Sequence, residues 1–448
     1  MNTYKLLHPN LTNDSIVKSL VTFGLPIMIS VLFQQLYNAV DTIIVGHFLK
    51  ENALAAIGSC IAIYELIVGF GTGFGNGLGI VAARAYGGNN IIRLKKIVAS
   101  SFIVTLFVTI FTMIFGHLAL KPLLSFLGTP DEILNEAHSY IYLIAIFSGV
   151  LFGYNLLSGL LRAIGNSFMP LVFLIISSVL NILMDIVMIV CFDQGVRGTA
   201  IATVIAQGFS AILCFLYMFK KCPILIPSKE SFRPDSGIYK DLFTQGLSMA
   251  LMSAIVSSGS VILQSPINSF GTYVIAGHIS ARKIFALTVI PIITLGTASA
   301  TFVSQNLGAG KIDRIKKGVR AANLMCIIWG ALCTIVIPLA AKFLIKSISG
   351  SENEEVLSYA TKYITFMQPF YAVLGVLIVS RNSLQGLGSK ILPLFSSLIE
   401  LAGKILFTVI IIPMTGIWGI IMCEPLIWCA MTIQLVIAYV NNKALKER

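Results

Sequence analysis

Twelve apolar stretches, most of them long enough for the ~20 residues that a helix needs to cross a bilayer, constrain this chain more than any motif. They run near 16–46, 53–82, 92–119, 134–158, 168–191, 196–219, 239–266, 273–301, 313–341, 357–380, 391–412 and 416–440. All are apolar on most faces. That fits helices better than a porin-type barrel, whose strands alternate in ten-residue pieces. Composition agrees: 56% of the 448 residues are hydrophobic and 11% are charged, where a soluble domain has about 25% charged residues. With a mean hydropathy of +0.89, this excludes a soluble enzyme, a disordered chain and a nucleic-acid-binding domain. The expected fold is an all-α polytopic membrane protein.

The net charge of +12 sits mainly in loops. The termini and even-numbered loops hold most Lys and Arg, including Lys5, Arg84, Lys95, Lys96, Arg162, Lys220, Lys221, Arg314, Lys316, Lys317, Arg381 and Arg448. The odd loops hold Lys50, Lys121, Arg197, Lys342, Lys346 and Lys362. The positive-inside rule then puts both termini in the cytoplasm and makes 220–238 a cytoplasmic linker. Residues 1–15 are polar, and the first apolar stretch is too long for a signal h-region, so no cleavable signal is expected. The eight cysteines form no C-x-x-C pair and read as small buried hydrophobes.

The chain repeats at an offset of about 222 residues. Gly24-Leu25 matches Gly246-Leu247, Arg93/Lys95/Lys96 match Arg314/Lys316/Lys317, and Phe147 matches Phe370. Gly165/Pro170 match Gly388/Pro393, and Gly195/Gly198 match Gly416/Gly419. Six spans per copy predict two pseudo-symmetric bundles that start on the same side, 1–219 and 239–448.

Ionisable residues inside spans cost about 2.5–3.5 kcal/mol each on insertion scales, so each needs a reason. The first half holds Asp41, Glu65 and Asp185 with no base; the second holds Glu400, Glu424, Arg282, Lys283 and Lys404. At about 1.5 Å per residue, Asp185 lies about 26 Å along its span, level with Asp41 and with Thr203 on the next span. Asn181 is one turn from Asp185, and Gln34, Tyr37 and Asn38 form a stripe with Asp41. Two carboxylates, an amide and a hydroxyl suit a proton relay or a hard cation such as Na⁺. Interhelical hydrogen bonding that only holds the bundle is the alternative. Glu65 near mid-membrane fits a cavity wall or a buried hydrogen bond. Glu400 and Lys404, one turn apart, can pair. The alternating glycines from Gly69 to Gly79 point to close helix packing or a bendable helix, since no Lys-Ser/Thr follows them as a phosphate loop requires.

The segment Gln34-Gln35-Leu36-Tyr37-Asn38-Ala39-Val40-Asp41-Thr42-Ile43-Ile44-Val45-Gly46, with Ala53-Leu54-Ala55-Ala56-Ile57-Gly58 after it, resembles the first-helix signature of multidrug and toxic compound extrusion (MATE) transporters. The loops Ala85-Tyr86-Gly87-Gly88-Asn89 and Gln305-Asn306-Leu307-Gly308-Ala309-Gly310-Lys311, and Leu161-Arg162-Ala163-Ile164-Gly165-Asn166, are also similar to that family. The resemblance implies two six-helix bundles around a central cavity and antiport of organic cations against H⁺ or Na⁺, with no cofactor. It implies an ion site of Asp41, Asn181, Asp185 and Thr203, as in branches that couple through the N-terminal bundle (DinF-like). The chain has no Asp or Glu between Asp241 and Asp313, and Gln368 stands on span 10, unlike the acids of the NorM-like branch.

The expected function is therefore a secondary antiporter of small organic cations or drugs, a monomer in the cell (inner) membrane. Its partners would be lipids and not nucleic acid. Gln34, Tyr37, Asn38 and Glu65 are the expected cavity residues, and Asp41 with Asp185 the place for Na⁺ if Na⁺ is used. The alternatives are a lipid-linked precursor flippase of the same superfamily, a membrane enzyme or a channel. A flippase would have more spans and a cationic cavity, and an enzyme would cluster catalytic groups in its loops.

Overall fold

The computed structural model describes residues 9–446, and of Lys50, Glu51 and Asn52 only the backbone. Lys5 and Arg448, and the side chain of Lys50, therefore lie outside the described residues. Among the described residues, every long element is a helix. In chain order they are α1 (Ile16–Phe48), α2 (Lys50–Gly87), α3 (Ile91–Phe126), α4 (Asp131–Ile146), α5 (Ser148–Ala163), α6 (Phe168–Ile186), α7 (Gly195–Lys221) and α8 (Ser236–Ser269). Then come α9 (Thr272–Thr288), α10 (Ile290–Gly308), α11 (Ile312–Ser349), α12 (Glu354–Met367), α13 (Tyr371–Gly386), α14 (Ile391–Leu406), α15 (Ile412–Thr415) and α16 (Ile417–Val440). Among the described residues, ten helical stretches are long and apolar enough to cross a membrane, or twelve when each of two bent pairs counts as one span.

Two of the spans expected from the sequence, 134–158 and 273–301, are bent. The first breaks at Phe147, where α4 and α5 meet at 45°. The second breaks at Val289, where α9 and α10 meet at 42°. Pro291 explains the second break, because it lacks the N–H that would continue the helix. The partner of Phe147 in the repeat, Phe370, closes a 3₁₀ turn at Gln368–Phe370 that contains Pro369.

The repeat is written in the backbone as well as the sequence. Left-handed residues pair across it: Asn89 with Gly310, Gly128 with Gly350, Gly165 with Gly388 and Gly195 with Gly416. A π turn follows α6 at Val187–Cys191 and recurs after α14 at Phe407–Ile411.

Packing divides the chain into two compact units, Ile29–Ala254 and Asn10–Met28 with Ile255 onward. Helix-counting limits of 1–219, 220–238 and 239–448 do not coincide with this grouping. The first turns of α8 belong to the first unit, and those of α1 to the second. In the first unit the glycines of α2 serve two neighbours at once. A Cβ on Gly75 or Gly79 would meet the backbone of Asn155 or Gly159 on α5 at 2.7 and 2.8 Å. A Cβ on Gly73 or Gly77 would meet Met249 O at 2.6 Å or Gly246 Cα at 2.7 Å on α8. Each set is spaced by four, so each lies on one face of α2, as small-xxx-small helix packing requires. In the second unit, residues 10–14 are strapped to the α10–α11 turn. Asn306 Nδ2 donates to Leu11 O at 3.1 Å, Lys311 Nζ donates to Asn13 Oδ1 at 2.7 Å, and Arg314 donates to Leu11 O and Asp14 O.

Candidate functional site

The polar residues of the first unit converge where α1, α6 and α7 carry them. On α6, Ser177, Ser178, Asn181 and Asp185 are all buried, Asp185 completely. They fall at helical spacing, so one face of an otherwise apolar helix is polar. The π turn starts two residues after Asp185. Such turns widen a helix locally and are common at functional sites. On α7, Thr199, Thr203 and Ser210 are buried, and Thr203 and Gln207 face the same space one turn apart.

Asn181 ties the two helices together. With its amide turned to satisfy both neighbours, its N–H₂ donates to Asp185 Oδ2 at 3.1 Å and its oxygen accepts from Thr203 N at 3.3 Å. Asp41 of α1 and Asp185 face each other at hydrogen-bonding range. The remaining oxygens, Asp41 Oδ1 and Asp185 Oδ1, are buried with no donor. A buried carboxylate oxygen without a donor costs about 1–3 kcal/mol or more, so this pair is poised to accept a proton or a cation. Tyr37 hydrogen-bonds Thr203 and Tyr64, and Tyr64 lies 6.4 Å from the ring of Tyr140.

The four expected ion residues thus come together. Of the expected cavity residues, Gln34 and Tyr37 line a small cavity beside them, together with Asn181, Thr203, Gln207 and Ser210. Asn38 and Glu65 are exposed and are not among its lining residues, which include Tyr64. Sequence reading missed Tyr64, Ser177, Ser178, Gln207 and Asn155. The signal was present as polar residues spaced by three or four on α6 and α7. The cavity has about 60 Å³ of space open to water. That is room for a few waters or an ion, not for a drug-sized molecule.

Both acids inside the spans of the second unit have cationic partners. Lys404 Nζ donates to Glu400 Oε1 at 3.0 Å, and Arg282 donates to Glu424 Oε2 at 2.7 Å. Glu400 has a second partner, Arg381, at 3.8 Å. Arg381, expected in a cytoplasmic loop, is instead buried inside α13 and donates to Ser396 Oγ at 3.1 Å. Arg162, also expected in a loop, lies within α5 and donates to Asn76 Oδ1 at 2.9 Å.

Comparison with known proteins agrees with this architecture. A family model described as MatE matches residues 26–187 and 248–410, one match in each half. The chain is 25% identical over 391 residues to the probable multidrug resistance protein YpnP of Bacillus subtilis, covering 87% of this chain and 86% of that one. It is 21% identical over 436 residues to the multidrug export protein MepA of Staphylococcus saprophyticus, covering 96% and 95%. Among solved structures, an outward-facing multidrug resistance MATE family transporter of the MOP superfamily superposes with a TM-score of 0.89 at 21% identity, each chain covered in full. A MOP superfamily transporter from Pyrococcus furiosus superposes at 0.86, with 22% identity, covering 100% of this chain and 99% of that one. With both halves matched over most of their spans, the chain belongs to the MatE family of membrane transporters.

Proposed function

We propose that this chain is a secondary antiporter that exports small organic compounds, cationic and amphipathic, in exchange for H⁺ or Na⁺. The observation that carries this reading is the Asp41–Asp185 contact, with an undonated oxygen on each carboxyl. Two carboxyls hydrogen-bond only if the pair holds a proton, and in a low-dielectric site they do not both stay ionised without a cation. The names of two relatives, multidrug resistance for YpnP and multidrug export for MepA, support the export of small organic compounds.

Asn181, Thr203 and Tyr37 orient the pair and join α1 to α6 and α7. Loading the acids therefore changes the fit between these three helices. An ion and a substrate that favour different packings of the same helices are coupled by that difference alone. The protein works as a monomer in the cell membrane with both termini cytoplasmic, and its exposed Lys316 and Lys317 meet anionic headgroups.

The test is efflux of a fluorescent organic cation from proteoliposomes under an imposed H⁺ gradient, then under an imposed Na⁺ gradient. Uphill movement driven by one of them is the expected result. Equilibration down the dye's own gradient, unaffected by either ion, would reject antiport.

A further inference from the structure

The second unit has a polar path that the Asp41–Asp185 pair does not use. At the turn between α8 and α9, a vestibule is lined by Gly271, Thr272, Glu354, Glu355, Tyr359 and Lys362. Tyr359 is also its floor: the residue is buried, and its hydroxyl is 3.1 Å from His278 Nδ1. Gly277 makes this approach close, since a Cβ there would meet Tyr359 Cδ1 and Val356 O, each at 2.9 Å. Beyond Tyr359, the His278 ring stands edge-on to Tyr363 at 4.9 Å. Tyr363 hydrogen-bonds Arg282, and Arg282 donates to Glu424 at 2.7 Å. The charged groups that face His278 are Arg282 on its own helix and Glu424 on α16; α12 presents the two tyrosines.

We propose that His278 is a proton-binding site filled from this vestibule through Tyr359, and that its proton loosens the Arg282–Glu424 pair. With Nδ1 unprotonated, the Tyr359 hydroxyl donates to it. A proton arriving from the vestibule goes to the Tyr359 oxygen as that hydroxyl passes its own proton to Nδ1. The phenol is neutral before and after, and the imidazole gains one charge. Two cations, imidazolium and guanidinium, then share the single Glu424 carboxylate in a poorly screened site, and each holds it less tightly than Arg282 held it alone. The site does not depend on the antiporter reading, because its acids and its entrance belong to the second unit.

The readout is close at hand. The Arg282 guanidinium lies 4.6 Å from the Phe285 ring centroid, and Phe285 stacks on Trp428 at 6.0 Å. In purified protein keeping Trp428 alone (W329F and W418F), emission should change in one proton step as the pH is lowered. H278Q should remove the step, and D41N should keep it. Y359F should keep it but slow the response to a pH jump by at least about tenfold, as loss of a proton relay does. If the tryptophan changes unfold the protein, ring NMR of the five histidines in the otherwise native chain reads the same event. One resonance, assigned by its absence in H278Q, should titrate on the same acidification. A step that survives H278Q, vanishes in D41N, or is absent from both measurements overturns the proposal.

Discussion

Asn181 holds Asp185 from one turn away, donating to its Oδ2 at 3.1 Å while accepting the backbone N–H of Thr203 at 3.3 Å. One side chain therefore presents the acid and joins α6 to α7. Asn181→Ala should leave Asp185 with one donor fewer, a loss of about 1–3 kcal/mol. Affinity of the pair for a coupling proton should rise by about tenfold or more, because the ionised carboxylate has lost a donor, while expression and membrane insertion stay unchanged. Ion dependence of efflux at matched expression checks this; an unchanged half-saturating ion concentration would refute it.

Asp41→Asn keeps most of the hydrogen-bonding shape of the carboxyl and removes its charge. Gradient-driven efflux should drop to background in Asp41→Asn and in Asp185→Asn. Glu400→Gln should retain coupling in whatever fraction folds. The measurement is dye efflux by all three variants at equal membrane abundance. Full activity in Asp41→Asn, or uncoupling only in the Glu400 variant, would move the coupling site to the second unit.

Glu400 is buried and serves two buried cations, Lys404 and Arg381. Removing one partner of a buried ion pair costs about 3–5 kcal/mol, because the other charge is stranded. Glu400→Gln should therefore lower the thermal midpoint in detergent by several degrees. Lys342→Gln, at an exposed position on α11, should leave it unchanged. Equal midpoints for the two variants would show that the Glu400 cluster is not structural.

The α2 glycines predict a stability series by contact rather than by composition. Gly75→Ala and Gly77→Ala place a Cβ 2.7 Å from a neighbouring backbone and should each cost about 1–3 kcal/mol, as overpacking does. Gly58→Ala, with nothing within 4 Å of its Cβ, should be neutral or slightly stabilising, since alanine favours helix over glycine. Thermal unfolding of the three variants in one detergent checks the order; a bendable α2 with no packing role would give three similar values.

The sequence by itself determined the membrane class, the approximate position of every span, the repeat, and the Asp41, Asn181, Asp185 and Thr203 quartet. Each of these rests on a local signal: hydropathy summed over about 20 residues, turns and glycines recurring at a fixed offset, or polar residues too costly to leave in hydrocarbon without a role. The Glu400–Lys404 pair was legible for the same reason, since residues four apart on a helix must meet. Only the tertiary structure decided what depends on neighbours distant in the chain. The bend at Phe147 carries no proline to announce it. Arg381 reads as a loop cation until α14 brings Glu400 and Ser396 beside it. Tyr64 reaches the small polar cavity because the rotation of α2 is set by its glycine contacts with α5 and α8. Hydropathy gives a helix its depth in the bilayer. Its rotation and its partners come from close packing across helices, which no window of sequence contains.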